Sequence, residues 1–218
     1  MPSIVNTAGR QRMLGQRIVR GYVQLAQQLH AEQARAQLGE SIREFERQLA
    51  ALAVASQALT RETLAELERR WQEFRRLAGS HPSSEAVLAL REAGERLLQA
   101  AERHTAALET RHASAAARNI NVAGRLRMLA QRVALCHLLE MRDEVNAACA
   151  SFAAALRELR DGAMQPAVRA ELRAVGELWN ELTELVAVEN EHRADVVEAA
   201  ERLAERAEGL VALYDQNG

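Results

Sequence analysis

Two arginine-rich segments of nearly identical sequence offer the clearest chemistry in the chain. NTAGRQRMLGQR spans residues 6–17, NVAGRLRMLAQR spans residues 121–132, and nine of their twelve positions are identical. The planar guanidinium group of arginine presents paired N–H donors that suit carboxylates and small planar oxyanions. Residues 1–31 and 110–139, which contain the two segments, include no Asp or Glu. The arginines of both segments therefore lack a carboxylate partner close by in the sequence.

One arginine of each segment falls on a helix face made otherwise of small residues. Residues three or four apart share a face of an α-helix, and this spacing groups Ala8, Gly9 and Arg12 in the first segment and Ala123, Gly124 and Arg127 in the second. Because small residues let two helix backbones come close, both arginines are predicted to point into a seam between helices. Two guanidinium groups about 6 Å apart repel each other by about 3 kcal/mol at an effective dielectric constant of 20, and an anion between them removes that penalty. The pattern predicts a two-armed oxyanion site.

Other roles for these arginines stay open from spacing alone. Arginines of helical bundles commonly pair with carboxylates on neighbouring helices. Binding to nucleic-acid phosphates is less favoured, because interleaved aromatic residues are missing. Asn6 and Asn121 are predicted to cap their helices. Backbone N–H groups near Gly9 and Gly124 are then expected close to a helix start, where anions are favoured.

The similarity between the two halves extends beyond these segments. The arginine segments match at an offset of 115 residues, and further matches follow at offsets of 106 to 108: Phe45 with Phe152, Leu49 with Leu156, Trp71 with Trp179, and EAGERL from Glu92 with EAAERL from Glu198. The chain is therefore a duplication. The change of offset means that the second half lacks about eight residues between its arginine segment and its Phe, which corresponds to two helical turns or a loop.

Composition restricts the fold class to all-α. Apolar residues make up 48% of the 218 residues and aromatic residues only 3%, with 11 Gly and 3 Pro. Folds with many tight turns call for more Gly and Pro, so an all-β fold is excluded. The net charge of −2 gives no overall field that favours nucleic acid or an anionic membrane.

Hydrophobic periodicity predicts four helices in each half. They are expected at 4–37, 40–57, 60–78 and 83–114, and at 119–142, 144–160, 165–189 and 192–214. Joints are predicted at Gly39, at Thr60, from Gly79 to Ser84 with Ser84 as a cap, and from Asp161 to Pro166. A joint near Asn190 is inferred from the repeat, and one continuous helix is the alternative there. The resulting fold is a pair of tandem up-down four-helix bundles, 1–114 and 115–218, in a pseudo-two-fold eight-helix assembly.

The link between the halves decides whether the two arginine segments meet. A turn at residues 115–119 places the first helices of both halves side by side and parallel. One unbroken helix over residues 83–142 instead separates the segments by the length of a bundle. No Gly or Pro lies between residues 95 and 123, so both arrangements are open, with the turn favoured.

The pattern N-x-A-G-R-x-R-M-L-x-Q-R at residues 6–17 and 121–132 resembles the N-terminal domain of type IV pilus methyl-accepting chemotaxis transducers, the PilJ type. This family includes the sensing domains of nitrate/nitrite sensor kinases. The resemblance implies a four-helix bundle whose first helix binds nitrate, with the ligand held between the first helices of two subunits by one arginine from each. That arginine falls on Arg12 and Arg127, and the surrounding segment falls on Ala8, Ala123, Gly9, Gly124, Arg10, Arg125, Met13 and Met128. Family members are usually membrane-anchored, whereas here two copies in one chain replace a homodimer by a covalent pseudo-dimer with a single site.

The leading hypothesis is therefore a nitrate or nitrite sensor, or binding protein, that passes its signal to a separate regulatory protein. No catalytic activity, cofactor, metal or nucleic-acid partner is expected. A helical scaffold or adaptor without a ligand is the alternative. Glu109 with His112 and Glu189 with His192 have the spacing of di-iron bundle ligands, but the predicted topology puts them at opposite ends, where solvated helix ends are the simpler interpretation.

The remaining features suggest an ordinary intracellular protein. Cys136 and Cys149 are predicted to be free thiols, because their spacing suits neither a zinc site nor a disulfide framework. No apolar run approaches the roughly 20 residues that span a bilayer. A cytoplasmic location is expected, or a periplasmic one if the chain is a trimmed ectodomain.

Overall fold

The computed structural model describes residues 3–55, 60–188 and 192–216, and these residues form eight α-helices. In the first half, α1 spans Ile4–Ala26, α2 Ala31–Ala55, α3 Arg61–Ala78 and α4 Ser84–His112. In the second half, α5 spans Ala115–Leu138, α6 Arg142–Asp161, α7 Pro166–Ala187 and α8 Arg193–Gln216. The all-α prediction is confirmed. The predicted joint at Asn190 lies outside the described residues.

Serine side chains cap three of the helices. Ser3 accepts a hydrogen bond from the backbone N–H of Asn6, Ser83 from Ala86, and Ser114 from Ala117. These contacts satisfy donors that the first turn of a helix leaves free. The predictions of Asn6 and Asn121 as caps were wrong, because both lie inside their helices, and the cap of α4 is Ser83 rather than Ser84.

The first helix is shorter than predicted. It ends at Ala26 rather than at residue 37, and Gly39 lies within α2. The chain turns at Gln28, whose φ is 56°, and Leu29 N–H donates to the Gln24 carbonyl at 2.9 Å. This bond closes a Schellman turn in which a glutamine holds the left-handed position usually given to glycine. A prediction based on glycine therefore missed it.

The same turn ends α5. Glu140 has a φ of 59°, and Met141 N–H donates to the Cys136 carbonyl at 2.9 Å. The predicted extension of this helix to residue 142 was wrong for the same reason. Helices α5 and α6 of the second half are shorter than their counterparts α1 and α2. After its arginine, α5 continues from Arg127 only to Leu138, whereas α1 continues from Arg12 to Ala26. The missing residues are thus mainly helical turns and not a lost loop.

Each half is a four-helix bundle with an aromatic pair in its core. In the first half α1 packs on α2 and α4, and α3 on α4; in the second half α5 packs on α6 and α8, and α7 on α8. Phe45 stacks on Trp71 with ring centroids 3.9 Å apart, and Phe152 stacks on Trp179 at 4.0 Å. The matched residues of the sequence repeat therefore occupy matching places in the two cores.

The two halves meet along α1 and α5. The turn between the halves is confirmed and the alternative of one unbroken helix over residues 83–142 is excluded, because Ala113 adopts a left-handed φ of 45° and Ser114 caps the new helix. Gln27 donates to the Leu138 carbonyl at 2.8 Å near the ends of α1 and α5, and Arg12 donates to the Asn121 carbonyl at 3.2 Å within the first halves of the two helices. Because the contacts follow the same order along the two helices, α1 and α5 run parallel.

No helix among the described residues is long and apolar enough to cross a lipid bilayer.

Candidate functional site

Arg12 and Arg127 lie together in the seam between α1 and α5. Their exposed fractions are 2% and 1%. A Cβ atom on Gly124 would lie 3.1 Å from Nη2 of Arg127 and 3.3 Å from Nη2 of Arg12, and one on Gly9 would lie 3.2 Å from Nη2 of Arg12 and 3.7 Å from Nη2 of Arg127. Both guanidinium groups therefore cover the same two glycines and are neighbours, as the spacing predicted. A Cβ at Gly124 would crowd both guanidinium groups and one at Gly9 would crowd that of Arg12, so glycine leaves room for the two side chains.

Arg12 has only neutral acceptors. Its Nε donates to the Gly9 carbonyl at 3.3 Å and its Nη2 to the Asn121 carbonyl at 3.2 Å. Among the described residues, no carboxylate accepts a hydrogen bond from it. Burial, opposed by the charge of Glu102 and reinforced by Arg125 and Arg127, lowers the pKa of Arg12 to about 9. At neutral pH this side chain is thus a buried and charged group without a direct counter-ion.

Arg127 differs, because a carboxylate binds it. Its Nη1 donates to Glu208 of α8, and its Nη2 donates to Oδ1 of Asn6 at 3.1 Å. Its Nε is buried and has no hydrogen-bond partner in the described part of the chain. Burial lowers the pKa of Arg127, while Glu208 raises it. The alternative in which these arginines pair with carboxylates therefore holds for Arg127 and does not hold for Arg12.

Two asparagines connect the arginine pair to outer carboxylates. Asn6 donates from Nδ2 to Asp215 at 3.2 Å, and Asn121 donates from Nδ2 to Glu109. Asp215 and Glu109 are equivalent in the repeat, at an offset of 106 residues. Sequence reasoning gave both asparagines a capping role and overlooked the carboxylates, although their equivalent positions in the repeat were a usable signal.

The other predicted site residues have different surroundings. Ala8 and Ala123 are buried small residues, whereas Met13 and Met128 belong to the hydrophobic core. Arg10 is half-buried with its Nη1 3.7 Å from Glu208, and Arg125 is exposed. Gly9 and Gly124 lie beyond the first turn of their helices, so the prediction of free backbone N–H donors at these glycines was wrong.

Two glutamines one helical turn beyond the arginines form a second polar layer that sequence reasoning missed. Gln16 and Gln131 are equivalent in the repeat and have exposed fractions of 1% and 0%. Oε1 of Gln16 and both polar atoms of Gln131 are buried with no hydrogen-bond partner in the described residues. Unpaired buried amides are costly, and the unpaired atoms of these two glutamines are donors and acceptors that a bound group would satisfy.

Carboxylates of α4 and α8 reach three further arginines of the acid-free segments. Arg17 donates to Glu201 at 3.1 Å, and the fully buried Arg20 donates to the same carboxylate. In the other half Arg132 donates to Glu95 at 2.8 Å. These three arginines are therefore paired by acids of the opposite bundle, whereas Arg127 and Arg118 are paired by Glu208 and Glu158 of their own half.

The described residues contain no group of three His, Cys, Asp or Glu side chains that could hold a metal ion. His192 bonds Asp195 at 3.0 Å at an exposed helix start, and Glu189 lies outside the described residues. Cys136 and Cys149 are free thiols, and burial raises the pKa of Cys136 to about 11.

A family model described as Type IV pili methyl-accepting chemotaxis transducer N-term, PilJ, matches residues 2–103 and again residues 108–209. The chain belongs to the PilJ family. The double match confirms that it is a tandem of two PilJ-type copies. Membership places the chain in signal transduction, in a family of sensing domains and not of catalysts. No match was found among curated proteins or solved structures.

Proposed function

We propose that this tandem PilJ protein binds one small oxyanion, nitrate or nitrite, between Arg12 and Arg127 and passes the signal to a separate protein. The observation that carries the proposal is the pair of neighbouring buried guanidinium groups, of which only Arg127 has a directly bonded carboxylate. An anion between them removes the repulsion and supplies the counter-ion that Arg12 lacks.

The donors needed for such an anion are at hand. Nε of Arg127 has no partner in the described structure, and the bonds of Arg12 use its Nε and Nη2 and leave Nη1. A planar oxyanion has enough acceptor sites for one N–H of each arginine and for the glutamine layer. The recognition is thus expected to rest on Arg12 and Arg127, with Gly9, Gly124, Ala8 and Ala123 providing the close approach of the helices.

Burial of both arginines links binding to movement. A ligand reaches them only when α1 and α5 separate, so the protein exchanges between an open and a closed seam and the anion favours the closed form. Each half, 1–114 and 115–218, acts as one module of a pseudo-dimer. The partner protein is expected to sense the change in how the two modules pack.

Isothermal titration with sodium nitrate tests this function. The wild-type chain should bind one nitrate, and Arg12→Ala or Arg127→Ala should each abolish the binding. Arg118→Ala is the matched control, because Arg118 lies on α5, is exposed and pairs with Glu158. Undiminished nitrate binding by both seam variants would contradict the proposal.

A ligand-free scaffold is the second candidate, favoured by the bond between Arg127 and Glu208 and by the closed seam. Thermal unfolding separates the two functions. A ligand at a hundred times its dissociation constant adds about 2.7 kcal/mol of stability, whereas a scaffold shows the same melting temperature with nitrate, nitrite, chlorate or phosphate.

A further inference from the structure

The two halves of the chain place equivalent carboxylates differently around the arginine pair. Glu208 of α8 and Glu102 of α4 are equivalent in the repeat at an offset of 106 residues. Glu208 is half-buried and accepts a hydrogen bond from Arg127. Glu102 is exposed and, among the described residues, makes no hydrogen bond or ion pair with Arg12. The pseudo-symmetric site therefore holds one directly bonded carboxylate for two guanidinium groups.

The other charges close to the pair stand further back. Arg10 lies 3.7 Å from Glu208, and Arg125 is exposed to solvent. Asp215 is linked to Arg127 through the side chain of Asn6, and Glu109 bonds the side chain of Asn121, whose backbone carbonyl accepts from Arg12. Water screens the exposed groups strongly. The carboxylate with the greatest influence on a bound anion is consequently Glu208.

We propose that Glu208 is the residue that sets the charge of the ligand, so that the site accepts singly charged oxyanions and rejects dianions such as sulfate. This inference rests on the proposed function, since it concerns the same site. Glu208 neutralises one of the two guanidinium groups and leaves one positive charge for the ligand. A second negative charge on the ligand has no second buried guanidinium without a carboxylate to meet, and it is repelled by Glu208 and the outer carboxylates.

Coulomb's law gives this proposal a quantitative signature. The repulsion between Glu208 and a ligand is proportional to the ligand's charge, so removing the carboxylate charge changes the binding free energy of a dianion twice as much as that of a monoanion. The fold-increase in sulfate affinity is then the square of the fold-increase in nitrate affinity. A tenfold gain for nitrate corresponds to about a hundredfold gain for sulfate. Each ligand is compared with itself, so the difference in their shapes cancels.

The experiment measures nitrate and sulfate binding by isothermal titration in the wild type, Glu208→Gln and Glu102→Gln. Glutamine keeps an acceptor for Arg127 while removing the charge. Glu208→Gln is expected to bind nitrate about tenfold more tightly and to gain about a hundredfold for sulfate. Glu102→Gln, the same change at the equivalent exposed position, is expected to give smaller gains for both anions, because Glu102 acts on Arg12 only through space and water screens its charge.

The outcomes separate this inference from the proposed function. Nitrate binding by the wild type with equal gains for both anions, or with no gain in Glu208→Gln, overturns the role of Glu208 and leaves the proposed function standing. No anion binding by either protein overturns both. Should Glu208→Gln be unfolded, Glu208→Asp replaces it. The shorter side chain draws the carboxylate away from Arg127, and the gain in sulfate affinity relative to the wild type must again exceed the gain in nitrate affinity.

Discussion

The repulsion between Arg12 and Arg127 can be measured as a coupling energy. A double-mutant cycle with Arg12→Met, Arg127→Met and the double variant isolates the interaction between the two side chains. Methionine keeps much of the apolar stem and removes the charge. Both Nη2 atoms lie within 3.3 Å of one point above Gly124, and at a separation of about 6 Å the expected coupling is unfavourable by about 3 kcal/mol.

The two single variants should also differ from each other. Both lose the same mutual repulsion, but only Arg127→Met breaks a charged hydrogen bond to a carboxylate, which is worth about 2 kcal/mol. Arg12→Met loses two bonds to backbone carbonyls, each worth about 1 kcal/mol and partly replaced by the helix's own bonding. We therefore expect Arg12→Met to be the more stable of the two in nitrate-free buffer.

Urea unfolding at neutral pH, followed by circular dichroism with and without nitrate, is the appropriate assay. Saturating nitrate should stabilise the wild type by about 2.7 kcal/mol at a hundred times its dissociation constant and leave the variants unchanged, so that the unfavourable coupling is nearly cancelled. A coupling of zero, or a favourable one, in nitrate-free buffer would refute the view that the two guanidinium groups repel each other across the seam.

Three further perturbations test the surroundings of the pair. Gly124→Ala places a methyl group against both guanidinium groups and should lower nitrate affinity at least tenfold by titration. Gly15→Ala is the control: its Cβ would meet only Leu97 at 3.6 Å, so it should bind nitrate normally and gain up to about 1 kcal/mol of stability. Equal nitrate affinities of the two variants would count against the close fit at Gly124. Replacing Gln16 and Gln131 together by Leu should raise the free energy of unfolding of the ligand-free protein by about 1 to 3 kcal/mol, and destabilisation would mean that the amides are satisfied. Burial lowers the pKa of His104 to about 4, below its value in the unfolded chain. Between pH 7.5 and pH 5 the unfolded state therefore binds a proton that the folded state does not, and the free energy of unfolding falls by about 2 kcal/mol. His104→Gln should remove this loss in urea unfolding, and an unchanged pH dependence would argue against a neutral buried imidazole.

The elements that could be predicted from the sequence are those encoded locally. The helical periods and the shared face of Gly9 and Arg12 depend on residues a few positions apart, and the repeat shows the same pattern twice, so the seam with its two arginines could be predicted. The turn at Gln28 was not, because the tertiary structure there holds a non-glycine residue in a left-handed conformation. Glu208 and Asp215 were missed for another reason. They lie some 80 and 209 residues along the chain from the residues they bond, so no local pattern indicates these contacts, and the only signal was their equivalence to Glu102 and Glu109 in the repeat.

Duplication within one chain permits an asymmetry that a homodimer cannot have. Arg20 is fully buried on α1 and bonds Glu201 of the other half together with Arg17, whereas the equivalent position on α5 is Leu135 and only Arg132 makes the corresponding bond, to Glu95. At these positions two arginines of α1 bond a carboxylate of the opposite bundle, whereas only one arginine of α5 does so. Glu208 binds the arginine of α5 and leaves that of α1 without a counter-ion. Because the two helices differ both in anchoring and in charge, the proposed closing of the seam by an anion would move α1 and α5 unequally, in a direction that two identical subunits could not provide.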